Sequence, residues 1–188
     1  MTPRAEVEAT AVLCHAHPLH GGVMHYKLLY RIAKLLRDRS FAVLRFNFRG
    51  VGRSEGEHDE GRGERDDTRA ALDVLDETYP GLPTLAGGFS FGSVMALRVG
   101  VEDPRVTSML AMGFPADVLK STRFLGELSK PTMFVHGGRD RYGSQASIER
   151  VVAPLSTARL VIVPESDHFF TDRIASVEAA VSDWVELL

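Results

Sequence analysis

Gly88-Phe89-Ser90-Phe91-Gly92 is a G-x-S-x-G pattern, and its chemistry depends on a sharp turn. When it joins the end of a strand to the start of a helix, the positions two before and two after the serine are crowded and must be small. The turn then lifts the hydroxyl above the sheet edge, beside the amino end of the helix. Three fixed positions recur by chance, so the context decides. Residues 83–89 read as a strand, and residues 91–101 read as a helix apolar nearly all round, which should lie buried. Ser90 is the candidate nucleophile.

A serine hydroxyl is a poor nucleophile until a base removes its proton. Of the seven histidines, His168 is best placed, because it follows the last apolar run in Pro164-Glu165-Ser166-Asp167-His168-Phe169-Phe170. The base needs a carboxylate to hold its tautomer and to stabilise the imidazolium. Asp140 directly follows the fifth apolar run, in His136-Gly137-Gly138-Arg139-Asp140. Asp117, after the fourth run, is the rival, and Asp167 is too near His168 in sequence to turn onto its ring. Asp140 is preferred on placement and keeps the chain order serine, acid, histidine. An oxyanion would also need two backbone N–H donors. Phe91, after the nucleophile, supplies one. The other should come from the loop His15-Ala16-His17-Pro18-Leu19-His20-Gly21-Gly22. Pro18 has no N–H, so His17 is the first choice, with Ala16 or Leu19 behind it.

These residues act together only if a sheet brings them to one edge. Short apolar runs at 10–15, 41–48, 83–89, 106–114, 131–136 and 159–163 read as strands. Helical periodicity falls between them: at Met24, Leu28, Ile32 and Leu36, over 64–78, 91–101 and 144–155, and at Ile174, Val177, Val181, Trp184 and Leu188. Six strands alternating with helices imply an α/β fold. The expected form is a three-layer α/β/α sandwich around a mostly parallel, doubly wound sheet of about six strands. With strand order 2-1-3-4-5-6, the switch point lies between the first and third strands, where a ligand is expected. The chain of 188 residues shows no repeat or linker and reads as one domain over 1–188.

Composition narrows the partners. Lys plus Arg is 22 against 25 for Asp plus Glu, a formal net charge of −3, without the basic surplus of a nucleic-acid binder. No segment approaches the roughly 20 apolar residues that span a bilayer. The N-terminus carries no apolar run of a leader peptide. A single cysteine, Cys14, forms no internal disulfide and reads as a small core residue. Together these give the expectation of a cytoplasmic chain that meets neither nucleic acid nor membrane.

The segments His15-Ala16-His17-Pro18, Arg45 through Ser54 (RFNFRGVGRS), Gly88 through Gly92, His136 through Asp140 and Asp167 through Phe170 resemble the α/β-hydrolase superfamily over nearly the whole chain. More narrowly, the chain is similar to small lidless bacterial serine hydrolases of the dienelactone-hydrolase-like group. That resemblance implies a serine hydrolase that cleaves a carboxylic ester or thioester of a small molecule through an acyl-Ser90 intermediate, with no cofactor. Residues 115–130 are too few for the helical lid of many relatives, and about eight residues precede the first strand, so a trimmed, lidless sheet with an open pocket is expected. Dienelactone hydrolase itself uses cysteine where Ser90 stands.

Three other readings compete with this one. His15, His17 and His20 form H-x-H-x-x-H, which suits metal ligands, but no accompanying aspartate is evident. Gly50, Gly52 and Gly56 lack dinucleotide-loop spacing, and the charged run 55–67 reads as a solvated loop leading into the next helix. A non-catalytic binding module on a hydrolase fold is the remaining alternative, against which all three triad residue types are present.

Overall fold

Alternation of short β-rich runs with amphipathic stretches carries directly into the architecture. The computed structural model describes residues 6–188; Met1 to Ala5, within the stretch read above as lacking a leader, lie outside it. The strands are β1 (Ala9–Cys14), β2 (Phe41–Arg45), β3 (Thr84–Phe89), β4 (Val106–Met112), β5 (Thr132–Gly137) and β6 (Ala158–Val163). The helices are α1 (Lys27–Arg37), α2 (Arg62–Thr78), α3 (Phe91–Glu102), α4 (Gln145–Val152) and α5 (Ile174–Val185). All strand pairs are parallel, in the order β2-β1-β3-β4-β5-β6. This is the expected doubly wound sheet and the expected order.

Side chains alternate across each strand with period two. Val12, Cys14 and Ala86 join the core beneath α2, α3 and α4, with Leu72, Leu97 and Ile148. Ala11, Leu13 and Leu85 face α1 and α5, with Ile32, Leu36, Val181 and Trp184. Helix α3 buries eight of its twelve residues, so its apolar circumference is explained by its position beneath the sheet.

Several boundaries differ from the sequence expectation. Strand β2 stops at Arg45, not Phe48. It is an edge strand paired only with β1, and beyond Arg45 the chain bends inward. Phe48 is wholly buried, and its N–H donates to His15 Nε2 at 3.0 Å. Met24 precedes α1, its N–H held by Asn47 Oδ1 at 2.9 Å. Helix α4 is shorter than expected, and α5 ends at Val185, leaving Leu188 exposed. Pro131 lies just before β5 rather than at its first position. Between β4 and β5 stands only a short 3₁₀ helix, Arg123–Glu127, so the sheet carries no lid. No helix among the described residues is long and apolar enough to cross a membrane.

Ile32 is fully buried between α1 and the sheet, whereas Val74 on α2 is about half exposed. Ile32→Ala is expected to destabilise by about 2–5 kcal/mol, and Val74→Ala by no more than about 0.5 kcal/mol. Urea unfolding of the two variants checks the contrast.

Candidate active site

The carboxyl ends of the strands are stitched together one residue beyond each ladder. Ser90 N–H donates to Met112 O, Gly113 N–H to Val135 O, and Gly138 N–H to Val163 O, each at 2.9 Å. These bonds set the relative heights of the loops that follow β3, β4 and β5. Between β3 and α3 the chain turns within one residue: Ser90 has φ 55° and ψ −121°, a conformation that costs a non-glycine residue of order 1–3 kcal/mol. The flanking glycines are required by close approach. A Cβ on Gly88 would overlap the Gly92 carbonyl, and one on Gly92 would overlap the Cys14 and His15 carbonyls.

At this edge Ser90 Oγ lies 2.9 Å from His168 Nε2, and His168 Nδ1 lies 2.7 Å from Asp140 Oδ2. A carboxylate accepts only, so Nδ1–H donates to Asp140, leaving the Nε2 lone pair to accept the serine hydroxyl. The Asp140 side chain is fully buried; its Oδ1 accepts the Tyr142 N–H at 2.8 Å. His168 is held among Tyr142, Phe89 and Phe169, with ring centroids 4.5, 5.1 and 5.2 Å away. A Cβ on Gly137 would overlap the Asp167 carbonyl, so the glycine at the end of β5 lets the His168 loop settle on the sheet edge.

The two rival acids lie elsewhere. Asp117 accepts the Ser144 N–H at 2.6 Å, and Asp167 binds the Thr171 N–H and hydroxyl at 2.9 and 2.8 Å. Neither contacts the imidazole's Nδ1. On the β1 side of Ser90, where the sequence placed the oxyanion donors, the His17 and Phe91 rings are 5.0 Å apart. The Leu19 N–H is taken by His17 Nδ1 at 3.2 Å, which removes Leu19 as a donor. The amides of Ala16, His17 and Phe91 have no acceptor among the described residues.

The H-x-H-x-x-H reading meets a geometric obstacle. His15 Nδ1–H donates to Ala16 O at 2.6 Å, and its Nε2 accepts the Phe48 N–H. Both nitrogens of the buried ring are therefore engaged by backbone. His17 and His20 stack at 4.4 Å, and no group of three potential ligands among the described residues is placed to hold a metal.

Residues 8–186 match the family model of the alpha/beta hydrolase domain. The chain belongs to that family. The hydrolase chain is 33% identical over 184 residues to protein RP471 of Rickettsia prowazekii, covering 93% of this chain and 77% of the relative. Among solved structures it is similar to an alpha-beta serine hydrolase homologue from Coxiella burnetii, with TM-score 0.87 and 29% identity over 95% of this chain and 85% of the other. It is also similar to XC6422 of Xanthomonas campestris, a serine hydrolase without a lid, with TM-score 0.88 and 28% identity over 99% and 84%.

Some residues that shape the hydrolase site carry no motif signal. His136 Nε2–H donates to Gly143 O at 2.6 Å and lies 3.5 Å from Asp140 Oδ2. The charged run 55–67, expected to be solvated, is partly internal. Glu64 is fully buried, accepting the N–H groups of Asp59 and Gly61 at 3.0 and 2.8 Å beside His58 Nδ1 at 2.6 Å. Asp67 pairs with Arg49 at 2.7 Å. The signal for Glu64 was its place three residues after Gly61, where a carboxylate reaches back to the free N–H at a helix start. Cys14 is a core residue as expected, and burial pushes its thiol up to about 12, leaving it inert.

Burial lowers the pKa of His15 and His136 below the ordinary 6.5. As pH falls through about 6.5, the unfolded chain takes up protons that these neutral rings refuse, so stability is full above that value and declines below it. The melting temperature is expected to fall between pH 7.5 and 5. His15→Gln should lower it at pH 7.5, by the equivalent of about 1–3 kcal/mol, while flattening the acid slope. Calorimetry across that range checks both.

Proposed function

We propose that this chain is a serine hydrolase that cleaves a carboxylic ester or thioester of a small molecule through an acyl enzyme on Ser90. The observation that supports it is the continuous chain of hydrogen bonds from Ser90 Oγ through His168 to Asp140, at the edge where the strand order reverses. In the first half-reaction Oγ attacks the substrate carbonyl carbon while His168 Nε2 takes the hydroxyl proton. The oxyanion that forms is held by the amides of Phe91 and His17, each donor worth about 10²–10³ in rate. The tetrahedral species then collapses. The bond from the carbonyl carbon to the leaving oxygen or sulfur breaks, and Nε2–H protonates the departing group. In the second half, His168 draws a proton from water as it attacks the acyl-Ser90 carbonyl. Release of the carboxylic acid returns that proton to Oγ. Asp140 orients the ring and stabilises the imidazolium in both halves, and no step calls on a cofactor.

The open, lidless rim favours a small soluble substrate over one presented at a lipid surface. A fluorophosphonate probe is expected to label the wild type at Ser90 and to leave Ser90→Ala unlabelled. A well-folded wild type that resists labelling would overturn the reading in favour of a binding module. A panel of activated esters and thioesters of graded acyl length then separates the two substrate classes.

The acid is tested separately. Asp140→Asn removes the acceptor that fixes the tautomer and is expected to lower kcat about 10⁴-fold. Asp117→Asn, which leaves the imidazole's partner intact, should cost far less. The reverse order, read from kcat on one activated ester, would reassign the acid.

A further inference from the structure

We propose that Tyr26, just ahead of α1, is a positioning residue that holds the His168 loop in its working shape; this rests on the acyl-transfer reading above and adds a residue to that site. The Tyr26 hydroxyl donates to Phe169 O at 3.3 Å. Its ring lies parallel to that of Phe89, with centroids 5.3 Å apart and planes inclined by 5°. Phe89 in turn lies 5.1 Å from the His168 ring, and His168 lies 4.5 Å from Tyr142. These contacts link four rings in series, from the start of α1 to the loop after β5, with the imidazole third. Tyr26 therefore acts through the residue before the nucleophile and the residue after the base.

The loop needs such a hold because its backbone is strained. Glu165, Phe170 and Asp172, none of them glycine, take φ values of 58°, 55° and 55°, in the left-handed region that side chains disfavour. The Phe169 carbonyl belongs to the peptide unit that precedes Phe170. A flip of that unit would return Phe170 to negative φ, relieve its strain and free the backbone next to His168. The unit is pinned at both ends: its oxygen accepts the Tyr26 hydroxyl, and its N–H donates to Asp167 O at 3.3 Å. The Asp167 bond lies within the loop and moves with it. Tyr26 is anchored elsewhere, its own carbonyl accepting the Tyr30 N–H of α1 at 3.0 Å. Burial, and then the Asp167 carboxylate, keep the Tyr26 phenol above its ordinary 10.0, so the hydroxyl stays a donor wherever a neutral His168 serves as base.

Tyr26→Phe keeps the ring on Phe89 and removes the hydroxyl. On an activated ester it is expected to lower kcat about tenfold, the weight of one hydrogen bond, with KM within about twofold of wild type. In proton NMR the His168 Nδ1–H resonance, assigned by its loss in His168→Ala, is expected to broaden as the ring gains freedom. A purely structural part would lower the melting temperature and leave both kcat and that resonance in place. Tyr30→Phe, at an exposed position of α1, is the control and should change neither. An unmoved resonance in Tyr26→Phe overturns the proposal. So does an unchanged kcat in an active enzyme, a loss confined to KM, or an equal loss in Tyr30→Phe. A wild type that turns over no ester, while Tyr26→Phe still broadens the resonance, instead overturns the hydrolase reading and supports the positioning of His168.

Discussion

The first turn of α3 lies against the end of β1 so closely that Gly92 has no room for a methyl group beside the Cys14 and His15 carbonyls, and Gly88 has none beside Gly92. Every feature of the site follows from that contact. It forces the chain to reverse within one residue, which puts Ser90 at φ 55° and leaves its hydroxyl proud of the sheet. It also brings the β1 loop alongside the helix start, where the Phe91 amide has no helical acceptor. A strained serine costs of order 1–3 kcal/mol. Burial of Val94, Leu97 and Val99 beneath the sheet contributes about 1.5–3 kcal/mol each, so the turn is held by its helix.

Electrostatics impose a second condition. A fully buried carboxylate is tolerated only where donors replace its water. Asp140 finds them in the Tyr142 N–H and His168 Nδ1–H, with His136 Nε2 close by. The donors depend in turn on the bonds that stitch each strand end to the next, because a small slip in height would break the line from acid to base to alcohol. The aromatic rings around His168 keep water from its faces, and burial disfavours a positive charge on His136, which lies 3.5 Å from Asp140 Oδ2, so no second buried cation competes with His168 for the carboxylate.

Much of this was legible in the sequence because local pattern and global topology agree. The period-two runs, the buried apolar helix and the glycines around Ser90 each demand the same sheet, and the parallel alternation then brings Ser90, Asp140 and His168 to one edge. What escaped notice depends on tertiary contacts without a periodic signature. Phe46 and Phe48 look like strand residues, but an edge strand with no outer partner leaves them free to bend into the core. Glu64 looked solvated because its neighbours are charged, and only the inward turn at Gly61 makes it a buried cap. His15 carried the look of a ligand, and its partners, a carbonyl next door and an amide 33 residues on, are invisible to spacing.

The two flanks of Ser90 are built differently, and the proposed mechanism gives a reason. Oxyanion donors act only if they stand within tenths of an ångström of the developing charge. The β1–β2 flank is accordingly pinned by buried polar groups, with His15 bridging the two loops and Glu64 tying down residues 59–61. The opposite flank is held through Tyr142, whose ring lies 4.5 Å from that of His168 and whose N–H binds Asp140. In a sheet without a lid, the proposed acyl chemistry leaves discrimination between substrates to the loops at the strand ends.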